Sequence, residues 1–257
     1  MTVPKNIELD RVIDDAHQGR RYSTRASTGH ARTRRANGTT AGDTTSGTAN
    51  DVLPTQVLDA CSIAIRNMGR SSVSCLGVTS CKRQEGRSTI AAGVAITQAH
   101  EYQRRTVLVD LDLESPSLAD TFGLPAAPGV VELLREEAAL GSCLQIVDDN
   151  LMVVTAGGDS CANRHLLREA AATQLLAVLR SRGEVVVADL PPLTPRSGAA
   201  QLADLCGAVA IVIRSGTVDR VEIEEAVSSL TGPVYAVVND LTPKTPRVLR
   251  RFLGLER

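Results

Sequence analysis

From position 52 onward, short unbroken apolar runs such as VVVAD (185–189) and AVAIVIR (208–214) alternate with longer amphipathic stretches. An unbroken run requires burial on both faces, which a strand finds in a parallel sheet covered by helices on either side; a strand with one wet face alternates apolar with polar residues. The alternation therefore predicts an α/β fold: a doubly wound, mostly parallel sheet flanked by helices. Ligands of such sheets bind at the carboxyl ends of the strands. Of the 257 residues, 43% are hydrophobic, enough for one large core, and the apolar segments do not separate into two blocks.

Strands are expected at 72–79, 106–110, 151–155, 184–189, 208–213 and 234–239, with helices at 53–68, 90–100, 130–140, 163–182, 198–205 and 219–230. Ser115-Pro116 reads as the cap and first-turn pair of a further short helix, and a basic helix, PRVLRRFLG, is expected near the end. Residues 1–50 differ in kind, being rich in Thr, Gly, Ser and Ala, with Arg20, Arg21, Arg25, Arg32, Arg34 and Arg35 and no acid between Asp15 and Asp43. Such a segment buries too little apolar surface to order itself, so a disordered basic tail is expected ahead of a folded domain at 51–257. The tail is either a solvated linker or a contact for anionic membrane, nucleic acid or an acidic partner.

With a net charge of −1, the whole chain has no global reason to seek nucleic acid. No apolar run approaches the roughly 18 residues of a membrane span, and the polar N-terminus is no secretory signal; a cytoplasmic protein is expected, peripheral at the inner face of the membrane if the tail binds lipid. Six cysteines without a CxxC pair suggest neither zinc nor a disulfide framework. Cys81, beside Lys82 and Arg83 near a helix start, is the one whose thiol pKa can fall, although an unremarkable small residue in the loop is the favoured reading.

Between the first predicted strand and its helix lies TSCKRQEGRST, residues 79–89. It has the form of a phosphate-binding loop with its lysine replaced: Gly86, Ser88 and Thr89 stand where backbone approach to phosphate and a Mg²⁺-holding hydroxyl are needed. Arg87 takes the lysine place, and Gln84 a place often held by Gly. Two strand ends complete the pattern. TVLVDLDLESPSL sets Asp110 and Asp112 two residues apart, hence on one side of an extended chain, and EVVVADLPPL ends a strand on Asp189. A carboxylate there can hold Mg²⁺ directly or through water, and Asp112 can orient or deprotonate an attacking group.

From about Val57 to Gly254, about four-fifths of the chain, these motifs resemble the cytoplasmic domain of bacterial tyrosine kinases from capsular and exopolysaccharide export systems, within the MinD/ParA-like P-loop superfamily. The family's TSSxPGEGKST stands against TSCKRQEGRST, its LLVDADLRRPSLHxLFGL against VLVDLDLESPSLADTFGL, and its VIIDTPP against VVVADLPP; NLMVVTAGG and VYAVVND echo two further segments. The resemblance implies a P-loop NTPase that binds ATP or ADP with Mg²⁺. Glu85, Gly86, Arg87, Ser88 and Thr89 would wrap the phosphates, with Ser88, Asp110 and Asp189 toward the metal, Arg87, Asp110 and Asp112 in the catalytic set, and Asn239 facing adenine. It also implies a membrane chain-length regulator of polysaccharide export as partner, and homo-oligomers.

Departures from the family point to weak or lost phosphotransfer. Arginine at 87 is a planar fork where a compact ammonium is usual. Glu114 and Ser115 replace basic residues, the C-terminal tyrosine cluster is missing (the tyrosines are Tyr22, Tyr102 and Tyr235), and the ExxRxxR motif is absent, with Asp59, Ser62 and Ile65 nearest in register. Lys82 falls where Min and Par ATPases carry a second lysine that crosses a dimer. A ParA/MinD-like positioning ATPase and a catalytically inactive interaction module are therefore the alternatives.

Overall fold

The computed structural model describes residues 52–68, 73–194 and 197–239; the expected tail and terminal basic helix lie outside them. In chain order the elements are α1 (Thr55–Asn67), β1 (Cys75–Ser80), α2 (Arg87–His100), β2 (Thr106–Asp110), α3 (Leu118–Phe122), α4 (Val130–Leu134), α5 (Leu140–Cys143), β3 (Gln145–Asp148), β4 (Leu151–Val154), α6 (Ser160–Asn163), α7 (Glu169–Arg180), β5 (Val185–Asp189), α8 (Ala199–Asp204), β6 (Ala208–Arg214), α9 (Arg220–Ser228) and β7 (Val234–Asn239).

The strands form one seven-stranded sheet in the order β3-β4-β2-β5-β1-β6-β7. Every pairing is parallel except β3 with β4. Successive residues of the central strands enter opposite cores, as the two-residue strand period requires. Val107, Val109, Val186 and Ala188 pack with Leu175, Leu176 and Leu179 of α7 and Leu202 of α8. Leu108, Val185, Val187 and Val78 pack on the other face with α2 and with Cys61 and Ile65 of α1. Helices α1 and α2 meet closely at Gly93, where a Cβ would lie 2.6 Å from Cys61 Sγ.

Several expected boundaries are corrected. The short helix begins at Leu118 with Ser117 as its cap, so Ser115-Pro116 precedes it. The stretch expected as one helix at 130–140 is α4 followed by a break before α5. The helix expected at 163–182 is α6, a 3-10 turn at Arg164–Leu166, and α7 from Glu169. Strand β3 was not expected: it is an antiparallel edge of four residues, with Ile146 76% exposed, so it lacks the buried apolar run that betrays the central strands. Among the described residues no helix is long and apolar enough to cross a membrane.

Candidate functional site: the loop between β1 and α2

Helix α2 begins directly after Gly86, whose φ of +87° lies in the left-handed region that favours glycine. A Cβ there would lie 2.3 Å from Asn239 Nδ2, so glycine is needed for space as well as for conformation. The first-turn N–H groups of a helix have no intrahelical acceptor and carry positive potential. They lie at a hollow of about 180 Å³ lined by Gln84, Gly86, Arg87, Ser88 and Thr89. Gln84 has φ +64°, a conformation that strains a residue with a Cβ and explains why glycine suits that place.

The loop is held by groups that sequence reasoning had assigned otherwise. The Glu85 carboxylate is buried and turned inward, accepting from Lys82 N (2.7 Å), Arg214 N (3.1 Å) and Thr217 Oγ1 (3.1 Å); it fastens the loop to the end of β6. The Asn239 amide, at the end of β7, donates to Glu85 O at 2.9 Å. Lys82 Nζ lies 2.7 Å from Glu222 Oε1 in its own chain. The Cys81 thiol is the buried small residue that the favoured reading expects: it packs with Ile211, Ile213 and Ile223, and burial, followed by the charge of Glu85, pushes it up to about 12.

Beneath the loop, Asp110, Asp112 and Asp189 are all buried at the carboxyl ends of β2 and β5, with Asp110 and Asp189 side by side in register. Their surroundings differ. Asp110 is satisfied by backbone: Oδ1 accepts from Asp112 N (3.2 Å), and Oδ2 from Ser117 N (3.0 Å) and Leu118 N (3.1 Å), fixing the turn into α3. Burial, then repulsion from Asp189, raises its pKa despite those bonds. Asp112 Oδ2 accepts from Arg87 Nη2 at 2.5 Å and from Arg83 Nη1 at 3.3 Å. Asp189 Oδ1 accepts from Arg87 Nε at 3.1 Å, while its Oδ2 is buried without a partner among the described residues. Burial raises the Asp189 pKa, and Arg87 and the nearby Ser88 hydroxyl pull it partly back.

Arg87 is thus the buried cation of this cluster, 8% exposed, with its third nitrogen 3.4 Å from Ser80 Oγ. Arg83, Ser80 and Glu114 were absent from the sequence-based site. Arg83 Nη2 lies 2.8 Å from Glu114 Oε2, and a cleft of about 270 Å³ beyond Asp112 is lined by Leu111, Asp112, Glu114, Arg164, Arg168 and Gln201, among others. Ser80 and Arg83 lie in the loop segment itself and Glu114 just beyond β2, and no local pattern in the sequence announces that they meet there.

The residues fit a Mg-nucleotide. An orphaned buried carboxylate oxygen beside a helix-start hydroxyl is a donor pair suited to a hard divalent cation, and the N–H groups ahead of it suit phosphate. Asp110 is less suited, because both its oxygens are already engaged.

No protein-family model matches the chain. It is 26% identical over 153 residues to the tyrosine-protein kinase CpsD of Streptococcus agalactiae, a match that covers 59% of this chain and 66%, just under two thirds, of that protein. It is 28% identical over 145 residues to the succinoglycan biosynthesis transport protein ExoP of Rhizobium meliloti, covering 55% of this chain and 18% of the relative. The solved VpsO kinase domain matches with a TM-score of 0.66 and 27% identity over 73% of this chain and 97% of its own. The septum site-determining protein MinD of Pyrococcus horikoshii, solved with Mg-ADP, shares the fold at a TM-score of 0.57 and 13% identity, over 69% and 76% of the two chains. The chain's relatives are bacterial tyrosine kinases, and its fold is that of their kinase domains and of MinD-like P-loop proteins.

Proposed function

We propose that this chain is a cytoplasmic, Mg-nucleotide-binding protein that regulates exopolysaccharide synthesis or export together with a membrane chain-length regulator, and that its phosphotransfer is weak or lost. The observation that carries the nucleotide reading is the buried, unpartnered Asp189 Oδ2 beside Ser88 at the start of α2. The other two acids have work in the chain itself: Asp110 caps a turn and Asp112 neutralises Arg87. A purely structural role would leave no reason for an orphaned carboxylate oxygen in the core. The similarity to CpsD and ExoP supports the polysaccharide-export context.

In this reading the α2 N-terminus and Ser88 hold the phosphates, and Ser88 with Asp189 holds the metal. Bound Mg²⁺ would supply charge neutralisation at the phosphates. Asp112 is the base candidate, but its Oδ2 is held by both Arg87 and Arg83, so the side chain is not free to reach an attacking group. Lys82, on which the positioning-ATPase alternative leaned, is occupied by Glu222, so that reading gains no observation of its own.

The test is the steady-state ATPase rate of the wild type against Arg87→Lys combined with Gln84→Gly. Electrostatic stabilisation of the transferring phosphoryl group is a large catalytic term, so the double substitution should raise turnover at least about tenfold, roughly 1.4 kcal/mol. A wild type that already hydrolyses ATP briskly, and that the repair slows, contradicts the reading of a weakened enzyme.

A further inference from the structure

Each of the three nitrogens of the Arg87 side chain has a partner inside the protein: Asp189, Asp112 and Ser80. The guanidinium therefore runs from the first residue of α2 to the ends of β2 and β5, where it meets internal anions. A carboxylate and a phosphate present the same kind of oxygen acceptors to an arginine fork, and each forms charge-assisted hydrogen bonds with it. An incoming phosphate at the α2 N-terminus and the carboxylate of Asp112 are thus rivals for one guanidinium.

We infer that the Arg87–Asp112 pair is a latch on the phosphate site: an acid of the chain occupies the site's cation, and nucleotide binds by displacing it. The inference rests on the nucleotide reading above and adds to it a built-in competitor. Buried in a low dielectric, the pair resists separation. The displaced carboxylate has somewhere to go, since Arg83 already lies 3.3 Å from Asp112 Oδ2 and is 41% exposed. Asp112 also lines the larger cleft, so its release by Arg87 hands a carboxylate to a cavity that the loop hollow does not share. The latch thereby couples the two cavities: filling one changes the charge available in the other.

The sign of the expected effect separates this latch from an ordinary binding or structural residue. Asp112→Asn keeps the side chain's size and removes its charge. Titration calorimetry of the full chain with ATP, in EDTA and again with Mg²⁺, should give a dissociation constant at least about tenfold lower for the variant in both conditions. Without nucleotide, the variant's thermal midpoint should fall, because Arg87 loses a buried counter-ion. Asp112→Ser, small and neutral, should tighten binding in the same direction and serves if the asparagine variant does not fold. A folded variant that binds ATP no more tightly than the wild type overturns the latch and leaves the nucleotide site standing. Absence of binding in both wild type and variant overturns both readings.

Discussion

The middle of the sheet and its carboxyl edge are built on opposite terms. In the middle, Val107, Leu108, Val186 and Val187 are held by many interchangeable apolar neighbours on two faces, so no single contact decides the structure. At the edge, two of the three buried acids, Asp112 and Asp189, depend on one buried arginine, and the loop above them depends on one inward-turned glutamate. Dispersion contacts are shared among many neighbours, whereas a buried charge depends on the one partner that neutralises it. The two regions should therefore respond differently to substitution: the middle in stability alone, the edge in stability and binding together.

The largest expected effect is at the edge. Arg87→Ala leaves Asp112 and Asp189 without their shared cation, and denaturant unfolding should show a loss of about 3–5 kcal/mol. The same variant should lose nucleotide affinity. In the middle, Leu176→Ala, at a fully buried position of α7, should cost about 2–5 kcal/mol by cavity formation. ATP affinity of the folded fraction should stay as in the wild type; a Leu176→Ala protein that lost binding as fully as Arg87→Ala would erase the contrast.

A smaller effect should appear with pH. Burial, then the neighbouring Asp189, raises Asp110 from its ordinary 3.8 to about 7, so the folded nucleotide-free protein holds a proton that the unfolded chain has released. That contribution is complete below about pH 4 and is lost as pH rises through about 7. The thermal midpoint should fall across this window, and Asp110→Asn, which cannot ionise, should flatten the slope. A midpoint that rose steadily from pH 5 to pH 8 in the nucleotide-free wild type, and equally in the variant, would place the titrating group elsewhere.

The same division governs what could be read from the sequence. The central strands were legible because burial on both faces writes itself as an unbroken run such as VVVAD. Strand β3 was not, since QIVD lies at an edge with Ile146 exposed. The long helix expected at 163–182 is interrupted without a Gly or Pro to mark the break; Asn163 donates to Asp159 O and accepts from Arg135, contacts that a periodic pattern cannot display. At the site, Gly86, Ser88 and Asp189 were legible because their backbone geometry and strand-end position follow from spacing. The direction of the Arg87 side chain, the inward turn of Glu85 and the part played by Arg83 were not: each depends on partners brought close only by folding.

The most direct measurement is titration calorimetry of ATP with Mg²⁺ into the full chain, run beside Arg87→Ala and Asp189→Ala. The account predicts Mg²⁺-dependent binding by the wild type, weakened in Arg87→Ala through loss of a phosphate contact and in Asp189→Ala through loss of metal support. No detectable binding by the folded wild type at millimolar ATP would contradict it and leave the sheet as an interaction module.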